Sequence, residues 1–204
     1  SYGTEDGLYI NGRITDNSPY LTFEWKAGKD GEVHQVRTQL IGEYNFPNAL
    51  AAITIGRFFG VEAQQIDEAL AEYTPQNNRS QLKKTEDNTL IIDAYNANPT
   101  SMMAALQNFR NMTVPHKMLL LGDMRELGAE SAAEHQKIVD YIKENGFEKV
   151  WLVGEQFAAA QHSFKTYANV QEVIKELETN KPKGYTILIK GSNGIKLSST
   201  VEHL

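Results

Sequence analysis

The sequence has 204 residues, 26 acidic and 20 basic side chains, a formal charge of −6 and no cysteine, so a disulfide scaffold, a thiolate metal site and a cysteine nucleophile are all excluded. With no apolar run near the roughly 20 residues of a membrane span and no signal-like start over residues 1–10, the expected address is cytoplasmic, with no membrane insertion. The acidic balance speaks against nucleic acid as a partner, and the length suits one large domain or two small ones.

The first 40 residues read as β-structure: 7–14, 20–25 and 33–40, the last two alternating apolar and polar side chains, with Gly28–Gly31 as a hairpin signal between them. Two helices follow. Residues 48–59 are apolar almost all round and are expected to be buried, stopping at Gly60, whereas 63–73 is amphipathic. The polar, turn-forming segment Thr74–Asn78 marks a domain boundary, giving expected domains of 1–76 and 77–204. Beyond it, short and nearly continuous apolar runs at 89–93, 117–121, 149–153 and 185–189 read as strands covered on both faces. Helices are expected at 99–111, 131–145, 155–161 and 170–179, with Ser131 and Asn169 as N-caps followed three residues later by glutamate, and a stop at Asn145-Gly146. Strand–helix alternation makes this second part an α/β fold, an open doubly wound Rossmann-like sheet.

Open α/β sheets bind ligands beyond the carboxyl ends of their strands. Three of the four strand ends carry polar loops: Asp93-Ala-Tyr-Asn-Ala-Asn-Pro-Thr-Ser101, Gly122-Asp-Met-Arg-Glu-Leu-Gly128 and Lys190-Gly-Ser-Asn-Gly194. Asp93 suits the diol of a ribose. Asn96 and Asn98 each bring a donor and an acceptor, and Asn98 before Pro99 also reads as a helix cap. Lys190-Gly-Ser192, leading into a last helix, suits an anion. The five histidines, His34, His116, His135, His162 and His203, show no metal-ligand spacing; His135, close in sequence to the Asp123 loop, is the one with a chance of touching a ligand. There is no Gly-x-x-x-x-Gly-Lys-Ser/Thr loop and no Gly-x-Gly-x-x-Gly.

Four motifs in order resemble the Mur ligases. Gly42-Glu-Tyr-Asn-Phe-Pro-Asn-Ala-Leu-Ala-Ala52 is similar to their Gly-x-His-Asn-x-x-Asn-Ala-x-Ala-Ala helix, and Asn78-Arg79-Ser-Gln81 to the arginine motif between their central and C-terminal domains. The Asp93 and Gly122 loops, with Lys190-Gly-Ser-Asn193, resemble the branch that adds D-alanyl-D-alanine to UDP-N-acetylmuramoyl-tripeptide in peptidoglycan precursor synthesis. The resemblance implies a three-domain protein of which this chain is the end of the central ATPase domain joined to the C-terminal domain. The P-loop, the magnesium ligands and a carbamylated lysine would lie in the remainder, so this fragment would be inactive alone. It implies ATP and Mg2+ as cofactors, amide formation through an acyl phosphate, and a monomer. It assigns Asn45 and Asn48 to the adenine, Arg79 to the phosphates, Asp93 to the ribose, and Tyr95, Asn96, Asn98, Lys190 and Ser192 to the dipeptide and acyl-phosphate side, with Arg79 and Lys190 as the catalytic pair. Two positions depart from the pattern: Tyr44 stands where histidine is usual, and Asn193 where arginine is usual. The alternatives are another amino-acid ligase of the family, of folylpolyglutamate or cyanophycin type, or a non-catalytic α/β binding module.

Overall fold

A computed structural model describes residues 1–76 and 78–204. Asn77, inside the segment expected to be the domain boundary, lies outside the described residues. The chain divides into two compact units, Ser1–Pro75 and Gln76–Leu204.

The first unit is a four-stranded sheet in the order β1-β2-β3-β4, formed by Tyr2–Gly3, Ile10–Asp16, Tyr20–Ala27 and His34–Ile41. The pair β1–β2 is parallel and the other two are antiparallel. Alternation along β3 turns Leu21, Phe23 and Trp25 inward, where they pack with Ile10, Val36 and the helices α1 (Phe46–Phe58) and α2 (Ala63–Glu72). Asp67 on α2 ties the layers together: its carboxylate accepts from Trp25 Nε1 at 2.7 Å and pairs with His34 Nδ1 at 2.8 Å, while the His34 ring stacks on Trp25.

Two expectations for this unit need correction. The first helix starts at Phe46, not Asn48, with Pro47 in its opening turn. Nor is it buried all round: Phe46, Ala49, Leu50 and Ile53 are buried, while Ile55, Phe58 and Phe59 are exposed. A helix laid on one sheet buries the stripe at helical spacing, whatever the composition of its other face.

The second unit is a six-stranded sheet in the order β5-β6-β10-β7-β8-β9, built from Gln81–Lys84, Thr89–Asp93, Thr186–Lys190, Lys117–Gly122, Lys149–Val153 and Lys165–Tyr167. All pairs are parallel except β5–β6. Leu90, Ile92, Met118, Leu120, Trp151, Val153, Ile187 and Ile189 join one core cluster with Val170, Val173 and Leu177 of α6 (Val170–Asn180). The alternating residues Ile91, Leu119, Leu121, Leu152 and Leu188 are buried too, which is why these strands read as continuous apolar runs. Helices α3 (Pro99–Asn111) and α4 (Ser131–Asn145) have the expected bounds, and α5 is a short turn of helix over Glu155–Ala159. The edge strands β5 and β9 and the two-residue β1 are absent from the sequence reading. The helix expected after Lys190 is instead a pair of 3-10 turns, Asn193–Ile195 and Leu197–Thr200.

Candidate functional site at the carboxyl edge of the second sheet

Strand β6 ends at Asp93, and the loop to α3 is shaped by its own side chains. Asn98 Oδ1 accepts from the Ser101 N–H at 2.8 Å while Ser101 Oγ accepts from the Asn98 N–H at 3.1 Å, a reciprocal cap completed by Pro99 at the helix start. Asn98 is therefore a cap, and its amide N–H2 is the part left for a ligand. Asn96 is exposed, with Oδ1 accepting from the Ala97 N–H at 2.9 Å.

Antiparallel pairing of Gln81 with Ile92 brings the segment before β5 to the same edge. There the Ser80 N–H points to Asp93 Oδ1 at 3.4 Å, and the Arg79 guanidinium lies 3.9 Å from the centre of the Tyr95 ring. Arg79, Asp93, Tyr95, Asn96 and Asn98 thus share one corner of the second unit. Asn45 and Asn48 belong to the first unit: Asn45 Nδ2 donates to the Ile41 carbonyl at 2.8 Å, and Asn48 is exposed.

Because β10 inserts between β6 and β7, the Lys190-Gly-Ser192 turn runs between their two loops. Lys190 is buried and stands level with Asp93 in the parallel register, its Nζ 2.5 Å from Asp93 Oδ2 and 3.4 Å from the Asn96 carbonyl. Ser192 Oγ accepts from the Arg125 N–H at 2.8 Å and donates to the Ala97 carbonyl at 3.4 Å, and the Ser192 N–H is spent on the Asp123 carbonyl. A Cβ at Gly191 would lie 3.0 Å from Gly122 Cα, so glycine lets the turn pass close against the end of β7. The groups expected to hold an anion are thus engaged inside the protein.

The loop after β7 is fixed from below. Asp123 accepts from the N–H groups of Gln156 and Phe157 at 3.0 and 2.9 Å, capping α5 across the strand boundary. Gly154, at φ 120°, leaves room for it: a Cβ there would lie 2.3 Å from the Asp123 carboxylate. His135 is fully buried, donating from Nδ1 to the Ser131 carbonyl at 2.7 Å and accepting at Nε2 from the Met124 N–H at 3.0 Å. With both ring nitrogens so used, it is a strut between the start of α4 and the Asp123 loop and presents nothing to a ligand, although Asp123 Oδ1 lies 3.7 Å away. Ser131 does not cap α4 as expected. A 3-10 turn at Gly128–Glu130 runs straight into the helix, and the Ser131 hydroxyl donates to Gln156 Oε1 at 2.9 Å instead.

This loop borders a cleft of about 650 Å3, with Arg125, Glu126, Leu127, Ser131, Glu155 and Gln156 among its walls. The sequence marks the loop as polar and glycine-bracketed but names none of these side chains as a site residue. Glu126 holds a left-handed backbone at φ 67°, uncommon for a residue with a Cβ. Among the described residues no three His, Asp or Glu side chains gather as a metal-ligand set, so these side chains form no metal cage of their own. No helix among them is long and apolar enough to cross a membrane.

Residues 78–193 match the family model described as Mur ligase, glutamate ligase domain. A UDP-N-acetylmuramoyl-tripeptide–D-alanyl-D-alanine ligase of Bacillus subtilis is 34% identical over 176 residues, covering 81% of this chain and 38% of the relative. The Escherichia coli ligase of the same name is 33% identical over 98% of this chain and 44% of its own length. A crystal structure of MurF from Acinetobacter baumannii superposes with a TM-score of 0.81 at 26% identity, over 98% of this chain and 45% of that one. The chain spans less than half the length of these relatives, and the match over its second unit shows that it belongs to the Mur ligase family.

Proposed function

We propose that this chain is the nucleotide-ribose and dipeptide end of an ATP-dependent ligase that joins D-alanyl-D-alanine to UDP-N-acetylmuramoyl-tripeptide. Residues 1–76 would be the end of the central ATP-binding domain and residues 77–204 the C-terminal domain. The observation that carries the reading is the Asp93–Asn98 loop at the carboxyl end of β6, with the Arg79 guanidinium over its Tyr95 ring. It is supported by the names of the relatives at 34% and 33% identity.

In this reading the tripeptide carboxylate attacks the γ-phosphorus of ATP, giving an acyl phosphate and ADP. The dipeptide amine then displaces phosphate, and an amide bond forms. Such chemistry depends on positioning and on neutralising phosphoryl oxygens. Arg79 brings a planar fork suited to phosphate, placed over the Tyr95 ring. Asp93 accepts from the ribose diol, and Asn45 and Asn48 keep the adenine role that the resemblance assigns them. The phenol of Tyr95 and the free amides of Asn96 and Asn98 meet the peptide and carboxylate of the dipeptide without setting a full charge against its ammonium. Lys190 and Ser192 sit beneath the loops that carry these groups. Magnesium, the P-loop and the carbamylated lysine belong to the remainder of the protein in this reading, and no step here runs through them.

The test is phosphate release by the full-length protein containing this sequence, with the tripeptide nucleotide and ATP present. The expected result is turnover that requires D-alanyl-D-alanine, with Asn96→Ala raising the dipeptide KM while the ATP KM stays nearly constant. Turnover supported by glutamate instead of the dipeptide would move the protein to another branch of the family. The 204-residue chain alone, with no P-loop lysine, is expected to release no phosphate.

A further inference from the structure

Lys190 is 2% exposed, and among the described residues no other lysine or arginine is buried. Taking an ammonium out of water is costly unless its donors are matched. Here they turn toward β6 and its loop: Asp93 Oδ2 at 2.5 Å and the Asn96 carbonyl at 3.4 Å. Asp93 itself is only half-buried, and among the described residues the contact recorded for its Oδ1 is the long one from the Ser80 N–H at 3.4 Å. The carboxylate therefore has one oxygen locked by a buried cation and one with spare accepting capacity. Two residues on, Ser192 fastens the same turn to the Ala97 carbonyl and the Arg125 N–H.

We infer that Lys190 is a positioning residue that acts on the nucleotide through Asp93, fixing the carboxylate so that Oδ1 is presented to the ligand, and that it touches no phosphate itself. Two of the three ammonium donors are so used, and a side chain 2% exposed offers almost no surface to a phosphate. The inference rests on the reading above that a nucleotide ribose lies at Asp93.

The experiment is a double-variant cycle on the ATP KM of the full-length protein, using Lys190→Met, Asp93→Asn and the pair together, with melting temperatures alongside. Asp93→Asn is expected to raise the KM about 10-fold, as for loss of a charge-assisted hydrogen bond. Lys190→Met should do the same, and the double variant should be no worse than either single one. Multiplied losses of about 100-fold would mean that Lys190 meets the nucleotide directly, and would overturn the inference. An early melt with an unchanged ATP KM in Lys190→Met would overturn it as well, leaving Lys190 a stability residue. If Lys190→Met does not fold, Lys190→Gln keeps length and a donor, and closes the same cycle. Silence of Asp93→Asn alone would instead remove the nucleotide reading itself, and the inference with it.

Discussion

Asp93 and Asp123 close two strands of one sheet, yet they are put to opposite uses. Asp123 gives its oxygens to the backbone N–H groups of Gln156 and Phe157, so its charge is consumed in starting α5. Asp93 caps nothing: it faces a buried ammonium on one side and the open edge on the other. A strand-end carboxylate is thus no site by position alone. What matters is how closely backbone donors approach: two reach Asp123 at 3.0 and 2.9 Å, whereas at Asp93 the Ser80 N–H stays 3.4 Å from one oxygen and a cation takes the other.

That contrast breaks most sharply at Gly154. An alanine there meets the Asp123 carboxylate at 2.3 Å and must hold φ 120°, so Gly154→Ala is expected to cost roughly 3–5 kcal/mol in chemical denaturation. A loss below about 1 kcal/mol would show that the Asp123 end is pliable. Next comes His135→Ala, which empties a fully buried site and strands the Met124 N–H, for roughly 2–4 kcal/mol by the same measurement. The two aspartates themselves should then exchange phenotypes. Asp93→Ala weakens ATP binding about 10-fold or more in the full-length protein, since a charge-assisted hydrogen bond is worth about 1.5–3 kcal/mol. Asp123→Ala lowers stability by about 1–2 kcal/mol and leaves the ATP KM where it was. Equal effects on both readouts from both variants would dissolve the distinction.

The smallest effect belongs to a third carboxylate, Asp87, in the β5–β6 turn. Lys181 and Lys183, each 3.1 Å away, hold its pKa below the usual carboxylate value. Because the folded value is depressed, the stabilisation is present above the unfolded pKa and fades as pH falls through the folded one. Asp87→Asn should lower the melting temperature slightly at neutral pH, less in high salt, and not at all in strong acid.

The parallel strands and the bounds of α3 and α4 were legible because burial on both faces and the apolar face of a helix are written locally. So was the Asn98 cap, a three-residue relation. Edge strands were not: β5 is half-exposed and β9 three residues long, so neither shows a period. Ser131 looked like a cap because the sequence does not show the 3-10 turn that precedes it. Lys190 looked like an anion hook because its partner lies 97 positions away, on a strand that only the sheet order makes a neighbour.

That order bears on how the protein comes into being. In the second unit, β10 follows every other strand in sequence but occupies the middle of the sheet, between β6 and β7. On the ribosome, the β5–β6 pair and the β7–β8–β9 group therefore emerge as two half-sheets without a common member. Contacts of such sequence separation form slowly, since chain entropy is lost before they reward it. Until β10 slots in, each half presents a raw edge of unpaired amides and carbonyls, the surface on which strands from other chains can add. The strand that brings Lys190 level with Asp93 is also the one that seals the sheet.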